Sequence, residues 1–190
     1  MNISDILLGA AIIIAAPAVN RVGEAKAQQI HPNQVVVDSP FVHDPVLAYE
    51  NGKYYLYSTG HGISQMTSAD RKHWTLCREG VLKNHEIPAW THDSVPGFHT
   101  HIWAPDVIHY RNKWYLAYSC STFGKNTSAI GLLSNTSLAN MNGWKDEGCI
   151  LASEGKRDNW NAIDPNFVID DKGNPWMTWG SFWDGIQLVK

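Results

Sequence analysis

From residue 45 onward the chain alternates short runs of β-branched and aromatic residues with polar turns, and the runs return at a fixed interval. Prolines at 45, 105 and 165 mark a constant step of sixty residues. After the first, residues 46–50 (VLAYE) lead through Asn51-Gly52 into 53–58 (KYYLYS). After the second, residues 106–110 (DVIHY) lead through Arg111-Asn112 into 113–119 (KWYLAYS). After the third, residues 166–170 (NFVID) lead through Lys172-Gly173-Asn174 into 175–181 (PWMTWGS). Paired runs of this composition around Asn- and Gly-containing turns predict β-hairpins. The first two units continue alike: a Gly-Ile or Ile-Gly run, a Ser-rich turn, then Trp74 or Trp144 opening another apolar run.

Each unit therefore predicts four antiparallel strands. Sixty-residue, four-stranded repeats stack radially as β-propeller blades, because no single blade can bury both of its faces alone. The expected fold class is all-β, a propeller of which this sequence supplies about two and a half to three blades. The third unit reaches Lys190 where the others run on. In this arrangement Trp74 and Trp144 are expected to pack blade against blade.

Ahead of the repeats, residues 6–19 (ILLGAAIIIAAPAV) are apolar and uncharged, a polar stretch follows, and Ala25-Lys26-Ala27 offers an A-x-A site. This length suits a secretory signal and falls short of a bilayer span. Residues 1–27 are read as a signal peptide and 28–190 as an incomplete propeller domain, secreted or periplasmic. Met1–Asp5 lacks the usual Lys or Arg, and the alternative is a buried helix of the domain.

Composition narrows the function. The 190 residues carry 15 Lys and Arg against 18 Asp and Glu, a net charge of -3, with no basic cluster. That argues against nucleic-acid and anionic-membrane partners and suits a neutral polysaccharide. Cys77, Cys120 and Cys149 are too few and too widely spaced for a disulfide framework or zinc site; buried thiols are favoured over one disulfide plus an odd thiol. The loop with His92, Asp93, His99 and His101 has no recognised ligand spacing, so a polar rim is favoured over a metal site. Asn126-Thr-Ser128 and Asn135-Thr-Ser137 match glycosylation acceptors.

The candidate chemistry lies at the blade starts. The first strand of each blade runs beside the central channel, so residues just before it converge on one funnel. Asp44 and Asp164 each stand directly before a repeat proline, while Asp106 follows its proline. An isolated Asp-Pro is usually a turn; the same register in two repeats, with aromatics nearby, points instead to paired carboxylates of the kind glycoside hydrolysis uses. Trp103, Phe123, Phe182 and Trp183 could offer ring faces to sugar C–H groups, or simply pack.

Residues 42–45 (VHDP), 103–106 (WAPD), 121–126 (STFGKN) with 128–131 (SAIG), 161–166 (NAIDPN) and 180–186 (GSFWDGI), in this order, resemble glycoside hydrolase family 43 and within it the endo-α-1,5-L-arabinanases. The resemblance implies a five-bladed propeller that inverts anomeric configuration with three acidic residues; the full-length protein is expected to be a monomer. It assigns the general base to Asp44 and the residue that orients the general acid and raises its pKa to Asp164. It assigns substrate contact to Trp103, Phe123, Gly124, Asn161, Ala162, Ile163, Ser181, Phe182 and Trp183. The family's general-acid glutamate and its channel-ion histidine fall in later blades, so no cofactor or metal is expected within these residues. The 190-residue chain alone is expected to hydrolyse nothing and to fold poorly. The alternatives are an exo-acting arabinofuranosidase or β-xylosidase of the same family and a non-catalytic carbohydrate-binding propeller.

Overall fold

The computed structural model describes residues 34–190. The segment read as a signal peptide, residues 1–27, lies outside the described residues.

Three antiparallel sheets follow one another along the chain, one for each sixty-residue unit. In the first, β2 (Val46–Glu50), β3 (Lys53–Ser58), β5 (Ser64–Ser68) and β6 (Trp74–Cys77) form a meander, and β1 (Gln34–Val37) pairs with β6 at its outer edge. The second is the meander β7 (His101–Tyr110), β8 (Lys113–Cys120), β9 (Ser128–Asn135) and β10 (Lys145–Ser153). Between β3 and β5, the two-residue strand β4 (Gly60–His61) leaves the first sheet and pairs with β7 of the second. The third sheet holds β11 (Asn166–Ile169), β12 (Pro175–Ser181) and β13 (Gly185–Val189). One helical turn, α1 (Thr91–Ser94), lies between the first two sheets in sequence.

The hairpins form where the turn chemistry predicts. Glu50 pairs with Lys53 across Asn51 and Gly52, and Tyr110 with Lys113 across Arg111 and Asn112. All four turn residues have positive φ, between 47° and 82°. Two consecutive left-handed residues make the type I′ turn whose twist matches paired strands. Asn-Gly adopts it with little strain, whereas Arg111 must accept a left-handed conformation to close the second hairpin.

The core lies between the sheets. One cluster joins the first and second blades through Tyr55, Tyr57, Leu116, Tyr118 and Leu133; another joins the second and third through Ala117, Ile130, Ala162, Met177 and Trp179. Along β8, Leu116, Tyr118 and Cys120 enter the first cluster and Ala117 the second. Successive strand side chains point to opposite faces, so a sheet covered on both sides needs an unbroken apolar run. That requirement accounts for the run LAY within 113–119. Each fully buried large side chain contributes about 1.5–3 kcal/mol of transfer free energy, which makes blade contact the main source of stability.

The two tryptophans divide. Trp144 meets Tyr57 of the first blade edge-on, with ring centroids 5.9 Å apart, as expected of blade-to-blade packing. Trp74 is buried too, but its indole N–H donates to the Arg71 carbonyl at 3.2 Å and closes a loop of its own blade. All three cysteines are free thiols, and Cys120 is buried.

Candidate functional site

The sixty-residue register is written into the backbone at the blade starts. Asp44, Ala104 and Asp164, the residues before the three prolines, have φ of 51°, 38° and 55°. L-residues rarely adopt this region, and a following proline restricts the backbone further. Each such residue costs roughly 1–3 kcal/mol and persists only where its surroundings over-determine it. Here they do. The Thr59 N–H donates to the His43 carbonyl at 3.0 Å, and the Gly180 N–H to the Ile163 carbonyl at 2.8 Å. Across blades, the Ala104 N–H donates to Thr59 Oγ1 at 2.8 Å and the Asp164 N–H to Ser119 Oγ at 2.9 Å.

Two of these strained positions carry carboxylates. Asp44 Oδ2 accepts from His43 Nδ1 at 2.6 Å and from the Thr59 hydroxyl at 2.7 Å. Asp164 is open to solvent on one side, yet its pKa is raised, first by burial against the protein on its other sides and then by the like charge of Asp44, with His43 opposing. The electrostatic coupling places the two carboxyls in one neighbourhood although 120 positions of sequence separate them. Asp106 does something else. Its Oδ2 accepts the Phe167 N–H at 2.6 Å and Asn166 Nδ2 at 3.3 Å, tying the second blade to the third. Burial pushes its pKa up despite those bonds.

The loops that follow β8 and β12 emerge at the same end as the blade starts, because each inner strand runs antiparallel to its neighbour. They present Phe123 at 92 % exposure and Phe182 at 96 %, with Trp183 partly exposed beside it. Gly124, with φ of 76°, and the Lys125 N–H bond to the Thr122 carbonyl at 3.0 Å shape the loop that carries Phe123. Trp103 and Ile163 are half-buried. Ser181 ends β12 with a buried hydroxyl oxygen that has no partner among the described residues.

Two residues that the resemblance assigns to substrate contact have buried side chains. The Ala162 side chain is fully buried in the cluster between blades two and three, and its N–H is held by Ser153 Oγ at 2.9 Å. Asn161 is 2 % exposed, its amide turned toward the Lys125 carbonyl at 3.5 Å. Conversely, Phe41 is 97 % exposed just before His43 and Asp44, and the sequence reading passed over it because it falls outside every repeated run.

Among the described residues no group of three or more His, Cys, Asp or Glu side chains could hold a metal ion. His92, Asp93 and His99 are exposed, and His101 instead meets His61, with Nε2 atoms 3.0 Å apart. The acceptor asparagine of each glycosylation motif is buried: Asn126 Nδ2 donates to the carbonyls of Asp158 and Trp160, and Asn135 Nδ2 to that of Asn140.

Comparison with known proteins identifies the family. Residues 34–190 match the family described as Glycosyl hydrolases family 43. An extracellular exo-α-(1→5)-L-arabinofuranosidase of Cellvibrio japonicus is 43 % identical over 152 residues, covering 78 % of this chain and 43 % of the relative. An extracellular endo-α-(1→5)-L-arabinanase of Bacillus subtilis is 42 % identical over 153 residues, covering 78 % of this chain and 46 % of the relative. Among solved structures, an exo-1,5-α-L-arabinanase from a bovine ruminal metagenomic library superposes with a TM-score of 0.73 at 51 % identity, covering 85 % of this chain and 51 % of that one. The native arabinanase of Bacillus subtilis gives 0.75 at 41 % identity, covering 80 % and 52 %. The chain thus spans less than half the length of these curated relatives.

Proposed function

Because the chain belongs to glycosyl hydrolases family 43, we propose that the protein of which it forms part hydrolyses α-1,5-linked L-arabinan outside the cytoplasm. The observation that carries this is the pair Asp44 and Asp164: two carboxyls in the same strained backbone conformation, in the same register of two repeats, and electrostatically coupled. In this reading Asp44, whose Oδ2 is engaged by His43 and Thr59, takes a proton from the attacking water. Asp164 orients the proton donor and raises its pKa. The resemblance assigns that donor to a glutamate outside residues 34–190. Glu50 and Glu147, in strands of the first two blades, are engaged by Trp114 and Ser137 and by Ser134 and Lys145 respectively. Phe123, Phe182 and Trp183 supply apolar ring surface for the sugar C–H faces. Extracellular relatives and the apolar segment at residues 6–19 both favour export.

The sequence motifs favour internal cleavage, and the exo-acting relatives carry a second reading of terminal cleavage. Incubation of the full-length protein with linear α-1,5-arabinan, followed by sizing of the earliest products, tests both. A ladder of oligosaccharides is expected for internal cleavage, and a single short product for terminal cleavage. Binding without any release of reducing ends would refute hydrolysis.

A further inference from the structure

We propose that Thr59 is a positioning residue for Asp44, its hydroxyl fixing which carboxylate oxygen faces the attacking water; the inference rests on the reading of Asp44 as general base. Thr59 follows β3 directly and grips the strained blade start at two points. Its N–H holds the His43 carbonyl at 3.0 Å, and its hydroxyl lies 2.7 Å from Asp44 Oδ2. The same Oγ1 is 2.8 Å from the Ala104 nitrogen of the next blade.

The donor and acceptor inventory settles the direction of both bonds. A backbone N–H can only donate, so Thr59 Oγ1 accepts from Ala104, and the single hydroxyl hydrogen is left for Asp44, which accepts when ionised. His43 Nδ1 reaches the same Oδ2 at 2.6 Å. With both donors on Oδ2 and none on Oδ1 among the described residues, Oδ1 keeps its lone pairs for a water proton. Branching at Cβ restricts the threonine rotamer, so the hydroxyl holds one orientation without help from ligand.

The next blade separates the scaffold from the addition. Ser119 stands sixty residues on and accepts the Asp164 N–H at 2.9 Å, as Thr59 accepts the Ala104 N–H. Both hydroxyls thus clamp a following blade start. Ser119 has no carboxylate to serve, since its own blade starts with Ala104; only Thr59 adds donation to an acid.

Kinetics of the full-length protein on linear α-1,5-arabinan test the assignment. Thr59→Val keeps the shape and loses both hydroxyl bonds, whereas Thr59→Ser keeps both. For Thr59→Val, kcat is expected to fall roughly tenfold or more with KM within about twofold. Thr59→Ser should retain kcat within about threefold. Wild-type kcat in Thr59→Val, a loss confined to KM, or equal impairment of both variants would overturn the proposal. If Thr59→Val does not accumulate folded, Thr59→Ala takes its place with the same criteria, since the space it opens lets water reach the Ala104 N–H. Asp44→Asn measured alongside keeps the two readings apart: unchanged kcat there removes the general base itself, whereas its loss beside an intact Thr59→Val removes only the role of Thr59.

Discussion

Glu50 ends β2 of the first blade, and its carboxylate receives three donors from the second: Trp114 Nε1 and the Ser137 hydroxyl at 2.8 Å each, and the Ala139 N–H at 3.3 Å. Glu50→Ala removes the acceptor and leaves all three behind. A hydrogen bond to a charged group is worth about 1.5–3 kcal/mol net, and an orphaned buried donor costs about 1–3 kcal/mol. Ala139 is exposed and can turn to water, while Trp114 is half-buried and cannot do so freely. The loss should therefore be about 2–4 kcal/mol rather than the sum of three bonds. At about 2 °C per kcal/mol for a large domain, Tm falls by about 4–8 °C. The pH dependence follows from linkage. Burial opposes the charge, but the hydrogen bonds from Ser137, Trp114 and the Ala139 backbone outweigh it and hold the Glu50 pKa below its ordinary 4.5. A carboxylate with a depressed folded pKa contributes stability that is present above the unfolded pKa and lost as pH falls through the folded one. Thermal melts of wild type and Glu50→Gln should thus differ fully at neutral pH and converge well below pH 4.5. A Glu50→Ala protein within about 0.5 kcal/mol of wild type, or a Glu50→Gln gap that persists at low pH, would refute the reasoning.

Asp164→Asn should raise Tm slightly at neutral pH while lowering turnover, because it removes a charge that burial and Asp44 both disfavour. The sign is opposite to that of Glu50: a raised folded pKa means the penalty is present at neutral pH and relieved as pH falls, so the gain should shrink in acid. Phe123→Ala should leave Tm unchanged, since the ring is almost wholly exposed, and raise KM for arabinan roughly two- to tenfold, the equivalent of about 0.5–1.5 kcal/mol of ring contact.

The repeats were legible because they are local. A proline every sixty residues, Asn51-Gly52 between two strand-like runs, and a tryptophan opening the fourth strand each carry their meaning within a dozen positions. β4 was not legible, since nothing in Gly60-His61 shows that it leaves its own sheet for His101 and Ile102. Glu50 was read only as a hairpin residue, because its donors Trp114, Ser137 and Ala139 lie 64 to 89 positions away. Asp106 looked like a displaced copy of Asp44 and Asp164, but two residues along a strand reach a different neighbour, and it holds the third blade instead. Within Asn161–Asp164 only the last residue is exposed, a difference set by burial between blades that the motif itself does not show.

If Asp44 and Asp164 carry the chemistry, their loss must show in turnover of linear α-1,5-arabinan by Asp44→Asn and Asp164→Asn variants of the full-length protein. Loss of a general base should lower kcat for Asp44→Asn roughly 10²- to 10⁴-fold, with a smaller but clear loss for Asp164→Asn, while binding of a short arabinan oligosaccharide persists. Turnover by Asp44→Asn within about threefold of wild type would contradict the assignment.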